Sequence, residues 1–536
     1  MAIPPGVNER DFTSALGEFE NAVGSDWVFT SDEDTRLYRD AYSPVQNEPE
    51  EILVSAAVAP DNVEEVQQVV RVANRYRIPI YPISTGRNLG YGGSAPNLSG
   101  SVVLDLKRMN RVIEVDDKRH FAIVEPGVSY FDLYRYIQDR NLKVLIDCPD
   151  PGWGSVVGNA LDHGVGYTWG PYRDHFHSHS GMEVVLPNGE IMRTGMGALP
   201  GADSWGDYRY GFGPYVDGLF SQGNFGVVTK MGFHLLPEPE AYLKGTVTVP
   251  ARRDIIDLVA IVNQLEHAGL IGMPNYNTPL APHFAEPEVA GILGQPFARS
   301  AQDLERWAQS NDVGYYRCEL QFYGPRETIQ ANWRYAQRLL SDIPGAKFNV
   351  EYELEWPVTA EEAEGLHKVA LGIPNLEVFN MGRRQSPDSL GWDGEMWFAP
   401  IIPKNGEAVL EAQEVFTEAF KEMGMRPFTN AATTPQTWMY RAFIVIMGFP
   451  VSRIDVEANQ RQREAFTRLA NLGAERGWGE YRTPPIFQDL IMSHYSFNDH
   501  ALRRFSETLK DAVDPNGIIS AGRGGIWPKH MRDTSA

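Results

Sequence analysis

The chain has 536 residues, 43% of them hydrophobic and 11% aromatic, and a formal net charge of -22 at pH 7. That length exceeds what one hydrophobic core usually serves, so two large domains are expected, with an apolar share ordinary for a globular protein. The acidic balance disfavours nucleic acid and anionic membranes as partners, and two cysteines, Cys148 and Cys318, are too few for a disulfide framework or a cysteine-rich metal site. The opening residues, Met1 to Gly6, show no basic patch followed by an apolar run, and no apolar run reaches about 18 residues. Neither a signal peptide nor a membrane-spanning helix is therefore expected.

In chain order, residues 9–25 read as a helix with Phe12, Leu16 and Phe19 on one face. Residues 54–58 read as a short strand. Asp61 is expected to cap the next helix, with Glu64 at capping-box spacing and Val63, Val66, Val70 and Ala73 as its apolar stripe. A strand at 78–82 runs straight into Pro82-Ile-Ser-Thr-Gly-Arg-Asn-Leu-Gly-Tyr-Gly-Gly-Ser-Ala-Pro96. Strand, helix, strand and then a glycine loop is the α/β logic of a site at strand ends. Strands follow at 102–106, 112–115 and 121–125. Ser129 caps a helix with Asp132 in the third position, and 145–158 is a second Gly/Pro-rich stretch. A hairpin over 181–194 turns at Asn188-Gly189. From about residue 241, strands at 246–249, 315–323, 396–402 and 441–447 alternate with helices at 254–265, 326–340, 406–423 and 456–476. Two such rounds suggest a duplicated sheet with helices on one face. The last stretch, Asp514 to Arg523, returns to the turn-rich texture of the first half.

Four glycines between Gly86 and Gly93 permit either a tight surface loop or a concave nest of amide N–H groups for phosphate. The loop is not a Walker motif, since no Lys-Ser/Thr follows Gly90, and it does not open a helix as a dinucleotide fingerprint would. Three other stretches offer chemistry, each with a plain alternative. His175-Phe-His-Ser-His179 would put alternate histidines on one strand face, either a metal site or a polar face. Asp147 and Asp150 suit acid–base work or are simply turn residues. Gly479-Glu-Tyr-Arg482 could hold a phenolate or carboxylate, or is a surface turn.

Read together, these stretches resemble one family. Ser84-Thr-Gly-Arg-Asn-Leu-Gly-Tyr-Gly-Gly93, Asp147-Cys-Pro-Asp150, Gly154-Ser-Val-Val-Gly158 and Gly164-Val-Gly-Tyr-Thr168 occur in order. Arg193-Thr-Gly-Met-Gly197, Gly479-Glu-Tyr-Arg482 and Asp514-Pro-Asn-Gly-Ile518 follow. The set resembles the vanillyl-alcohol oxidase and p-cresol methylhydroxylase flavoproteins, nearest their 4-alkylphenol, eugenol-oxidase-like branch. The resemblance implies an α+β, two-domain FAD-binding fold with an α/β cap: residues 1–240 binding FAD, 241–499 forming the cap and 500–536 returning to the FAD domain. It implies that FAD is held by Ser84, Thr85, Gly86, Arg87, Asn88, Leu89 and Gly90 of the glycine loop. Pro149, Gly154, Ser155, Gly158, Asn159, Gly164 and Tyr167 would hold it from the next stretches, and Gly226, Val227, Val228 and Arg523 would complete the pocket. The family's phenolate-binding trio falls on Tyr91, Tyr481 and Arg482, and its aspartate beside flavin N5 on Asp150. The implied reaction is hydride loss from the benzylic carbon of a para-substituted phenol, giving a quinone methide to which water adds.

The chain departs from the family's tethering pattern. Glu395 stands where relatives carry a flavin-linking histidine, Phe379-Asn-Met-Gly-Arg-Arg384 has no tyrosine, and the loop has Asn88 with no histidine, so the FAD is expected to be non-covalent. Residues 428–440 lack the family's histidine pair, which implies a different far side of the substrate pocket. Residues 396–400, Met-Trp-Phe-Ala-Pro, look more like the cytochrome-linked p-cresol enzyme than the oxidases. The expected partners are a phenolic small molecule and, in the dehydrogenase reading, cytochrome c or another electron-acceptor protein, with O₂ as acceptor in the oxidase reading. A homodimer and a cytoplasmic location are expected, with export alongside a partner left open. A different class, a catalytically idle FAD-binding or electron-carrier protein, is opposed by the intact Tyr91, Tyr481 and Arg482 set.

Overall fold

Amphipathic spacing explains the first packing unit. In a computed structural model, which describes residues 3–88, 90–380 and 392–534, helix Glu9–Val23 buries Phe12, Ala15, Phe19 and Val23 against helix Val63–Tyr76. The second helix is capped by Asn62, whose side chain accepts from the Glu65 N–H, one residue later than the expected Asp61. Asp61 is instead held through its own N–H by the Glu65 carboxylate. Both helices share a core with a four-stranded sheet of order Val28–Phe29, Ala56–Val58, Val102–Asp105, Ile80–Ile83. Its last three strands run parallel. The glycine loop therefore leaves from the carboxyl end of Ile80–Ile83, beside Asp105.

An antiparallel five-stranded sheet follows, in the order Val112–Asp116, Phe121–Val124, Val227–His234, His179–Val185, Ile191–Arg193. A further sheet is built on strand Ala241–Val249, longer than the expected 246–249. It pairs on both sides, with Tyr316–Gly324 and with Lys347–Glu355, a strand the sequence reading passed over. Asn275–Asn277 completes this sheet. Helices Ile255–His267, Phe297–Ser310 and Arg326–Leu340 join strands Ala241–Val249 and Tyr316–Gly324 in one core.

The second round of strand and helix departs from a simple duplicate. The expected strand at 396–402 divides into Gly394–Phe398, paired with Met447–Val451, and Ile401–Pro403, paired with Ala442–Ile444. The break has a local cause: Pro400 has no N–H, and the Ala399 N–H is taken by the Glu480 carboxylate at 2.9 Å. Two short ladders replace one strand pair.

The tail docks on the first half. The Ile80 N–H donates to Ile518 O at 2.7 Å, the Ser520 N–H donates to Ile80 O at 2.9 Å, and Ile518 and Ile519 are fully buried. Lys510, on helix Phe497–Val513, is also fully buried. Its ammonium donates to Asn224 O and Ile519 O, both at 2.6 Å, and to Asp514 Oδ2 at 2.7 Å. Asp514 in turn accepts from the N–H groups of Ile518 and Ile519. Among the described residues no helix is long and apolar enough to cross a membrane.

Removing one member of a buried ion pair costs about 3–5 kcal/mol because the other is left uncompensated. Lys510→Ala is therefore expected to lower the urea midpoint by an amount of that order and to detach the tail. A midpoint within experimental error of the parent would show that Lys510 does not anchor it.

Candidate functional site

The glycine loop is shaped by close approach. Gly86, Gly90, Gly92 and Gly93 all have positive φ, +58° to +107°. A Cβ at Gly90 would lie 2.4 Å from the Trp397 ring, and one at Gly92 would lie 2.6 Å from Pro485. The loop is thus pressed against two parts of the cap, the strand Gly394–Phe398 and the turn after Arg482. The N–H groups of Thr85, Gly86, Arg87 and Asn88 donate to no acceptor among the described residues. Consecutive free amides in such a loop suit an anionic phosphate. Ser84 lies so close to Gly158 that a Cβ there would come within 2.1 Å of its Oγ, so only glycine lets the loop meet helix Val156–Leu161. Leu89 and residues 381–384, part of the segment read as lacking a tethering tyrosine, lie outside the described residues.

The next stretches form the wall behind the loop. Ser155 caps its helix by accepting from the Gly158 N–H and donates to Pro126 O at 2.6 Å. Gly154 donates to Pro151 O and accepts from the Tyr130 N–H. Asn159 donates to Tyr130 Oη and lies 2.7 Å from His175 Nδ1, and its own side chain fills the space a Cβ at Gly164 would need. His175 Nε2 reaches Asp147 at 2.8 Å, and Asp147 also accepts from the Thr168 N–H at 2.7 Å. Asp147 is therefore committed to a buried hydrogen-bond network.

The histidine run does not form the expected strand face. Only His179 lies in strand His179–Val185, and 175–178 form a turn. Each histidine has its own partner: His175 with Asp147, His177 with Arg209 and His179 with Asp217. Val227 and Val228 put their side chains into two separate cores, and Gly226 packs under Val184, so these three present backbone at most. Pro149 is buried in the same wall.

Asp150 differs from Asp147 although it lies three residues away. Burial raises its carboxyl above the usual range, opposed by a hydrogen bond from Tyr167 and by nearby His367. The Tyr167 and His367 rings meet edge-on with centroids 5.2 Å apart, and burial lowers the His367 imidazole. The sequence reading missed His367. It sits in a long irregular connection with no motif around it.

The Tyr–Arg turn is fixed from the cap side. Glu480 accepts the Ala399 N–H, the Tyr481 N–H donates to Ala399 O at 3.2 Å, and the Ile401 N–H donates to Gly479 O at 2.8 Å. Burial drives the Glu480 carboxyl well above its ordinary range, against the pull of the Ala399 and Arg482 N–H groups. Held this way, Arg482 places its guanidinium carbon 4.3 Å from the Tyr91 ring centroid and 4.5 Å from that of Tyr481. Its Nη1 lies 3.3 Å from Asp162 Oδ2, while Nε is buried and has no hydrogen-bond partner. Tyr481 donates to His163 O. Burial pushes the Tyr481 hydroxyl up to about 12 and raises Tyr91 as well, and Arg482 opposes both shifts.

A cavity of about 180 Å³ is lined by Tyr91, Tyr481, Arg482, Asp162 and Arg523, together with residues of the 488–502 region. The expected trio therefore comes together, and Arg523 of the tail joins it. Asp150 is not in the lining of this cavity. Asp162 was not singled out in the sequence, though its position between Asn159 and Gly164, two motif residues, was a signal.

A scan of family models matches residues 54–195 to an FAD binding domain. The 4-cresol dehydrogenase [hydroxylating] flavoprotein subunit of Pseudomonas putida is 32% identical over 98% of this chain and 97% of its own. The chain belongs to the vanillyl-alcohol oxidase and p-cresol methylhydroxylase family. It is an FAD-dependent oxidoreductase. Two solved structures of the family agree in fold. The 4-ethylphenol oxidase from Gulosibacter chungangensis, in an isoeugenol complex, has TM-score 0.81 and 32% identity, covering 99% of this chain and 100% of that one. A p-cresol methylhydroxylase with substrate bound has TM-score 0.84 and 30% identity, covering 98% and 99%. The free amides of Thr85–Asn88 and the close-packed glycines fit the FAD that this membership brings.

Gly90→Ala would combine a side chain at φ +84° with a clash on Trp397. The strain alone is about 1–3 kcal/mol. The variant is expected to purify with most of its flavin lost, measured as the ratio of flavin to protein absorbance. A full flavin complement would show that the loop tolerates separation from the cap.

Proposed function

We propose that this enzyme oxidises para-alkyl or para-hydroxyalkyl phenols at the benzylic carbon. The observation that carries the reading is the convergence of Tyr91 and Tyr481 on the one buried guanidinium of Arg482, with an unpartnered Nε facing no protein acceptor. The activities of the relatives, on 4-cresol and 4-ethylphenol, support it. A domain division at about residues 240 and 499, with the tail returning to the FAD side, goes with this reading.

A free phenol has a pKa near ~10, so binding it as phenolate near neutrality requires stabilisation. Arg482 provides a fixed positive charge and the Tyr91 hydroxyl a donor, while Tyr481, whose hydroxyl donates to His163 O, packs its ring against the guanidinium. The phenolate oxygen pushes electron density to the para position, which eases departure of a hydride from the benzylic carbon. Bound FAD supplies the hydride acceptor. The substrate becomes a quinone methide, and water adds at its benzylic carbon and loses a proton to give the alcohol. Asp150, whose carboxyl is raised by burial, is assigned to take that proton. The loop residues 84–90, Gly158 and the tail at Arg523 would hold the cofactor. We assign it a non-covalent attachment, because Glu395, buried in the cap strand beside Gly90, cannot form the histidyl link.

The electron acceptor has two readings, each with its own relative. A flavoprotein subunit of a dehydrogenase favours an electron-carrier protein such as a cytochrome, while the 4-ethylphenol oxidase favours O₂. Parallel assays with O₂ and an artificial acceptor separate them.

4-Ethylphenol is expected to bleach the flavin anaerobically, whereas its O-methyl ether, which cannot carry the charge, does not. Equal bleaching would rule out the phenolate mechanism. Arg482→Ala should keep its flavin and lose at least about tenfold in rate, since a charge-assisted hydrogen bond is worth about 1.5–3 kcal/mol. Acid precipitation should leave the flavin in the supernatant, and colour retained in the pellet would reveal a covalent link.

A further inference from the structure

Arg482 does not stand alone in the cavity. The Asp162 carboxylate lies between two arginines from distant parts of the chain. Its Oδ2 is 3.3 Å from Arg482 Nη1 and also accepts from the Asn88 amide of the glycine loop, and its Oδ1 accepts from Arg523 of the tail. Arg523 in turn reaches the Tyr81 hydroxyl at 3.5 Å. Asp162 and both arginines are largely buried, with side chains 11–14% exposed.

Two guanidiniums sharing one carboxylate leave the cluster with an excess positive charge, which an arriving phenolate would balance. The contact also uses the Nη1 edge of Arg482 and leaves Nε bare. Without the carboxylate, the two cations would repel, and no charged partner would fix the rotation of the Arg482 plane. We infer that Asp162 is a positioning residue: by tying Arg482 to Arg523 and Asn88, it aims the Arg482 Nε edge at the substrate oxygen. The inference rests on the phenol reading above.

Its electrostatic consequence has a definite sign. Asp162→Asn removes a negative charge beside Arg482, so a phenol bound there ionises more readily and at lower pH. The other titratable groups facing this cluster are Tyr91, Tyr481, Glu480, His163, Asp174 and Tyr81. They are common to parent and variant, so the difference between the two reports Asp162.

The probe is 4-cyanophenol, which has no benzylic hydrogen and whose phenolate is read directly in the ultraviolet. With holoenzyme, Asp162→Asn is expected to lower the pH midpoint for ionisation of bound 4-cyanophenol by about one unit. Anaerobic flavin reduction by 4-ethylphenol should slow about tenfold to a hundredfold through loss of alignment, with flavin content unchanged. Asp162→Glu keeps the charge and is expected to return the midpoint to that of the parent while recovering only part of the rate. Reduction at the parent rate in Asp162→Asn would overturn the inference. A slowed rate with an unmoved midpoint would also overturn it, as would loss of flavin in both variants, since each describes a merely structural residue. Failure of the parent enzyme itself to be bleached by 4-ethylphenol would remove the phenol reading, and the inference with it, whatever the variants do.

Discussion

A guanidinium taken out of water is tolerated where acceptors and aromatic faces replace its hydration, and Arg482 meets that demand with elements from three parts of the chain. The glycine loop supplies the Tyr91 ring, the wall supplies Asp162, and the cap turn supplies Tyr481 beside it. Each supplier is itself constrained. Tyr91 follows Gly90, whose lack of a side chain lets Trp397 approach, and Tyr481 follows Glu480, whose carboxylate is spent on the Ala399 N–H. A shift in any of them would leave a buried cation short of partners, a loss of about 3–5 kcal/mol. In the phenol reading, the site's chemistry and its stability would rest on the same charge.

The two carboxylates of the Asp147-Cys-Pro-Asp150 stretch illustrate how environment divides like residues. Asp147 receives the Thr168 N–H and faces His175, so it is fully occupied as an acceptor. Asp150 is also mostly buried but has fewer donors, and its carboxyl is raised. Donors hold Asp147 as scaffold, while burial sets Asp150 apart. Spacing in the sequence could nominate both and could not choose between them.

Elements with a complete local signal were legible. Helix Arg326–Leu340 matches its expected bounds because Ile329, Trp333, Ala336 and Leu340 recur on one face. Ser129 caps its helix as read, and Asp132 completes a capping box with it. What failed depended on distant partners. The strand expected at 396–402 breaks because Glu480, some eighty residues on, captures the Ala399 N–H. The period-two histidines look like a strand face, yet each is claimed by a different partner in a turn. In the site, Tyr91, Tyr481 and Arg482 were visible through the family pattern, since each alone is an ordinary residue in an ordinary turn. Asp162 had only its place between two motif residues as a signal, and its part in the site, like that of His367, shows when the fold brings Arg523 and Tyr167 beside them.

The same geometry couples the parts of the chain thermodynamically. The glycine loop touches the cap at Trp397 and Pro485, the tail enters the first sheet through Ile519 and the cavity through Arg523, and Asp162 links loop, cap turn and tail. A ligand that binds only this assembled arrangement stabilises all of it together, by RT ln(1 + [L]/Kd). FAD on the loop and a phenolate at Arg482 would therefore each favour the docked cap that the other needs. A cap docked in this way also buries Arg482, and in the phenol reading a drier site would let one positive charge hold a phenolate. Assembly of the two halves and, in the phenol reading, activation of the substrate would thus follow from one set of contacts.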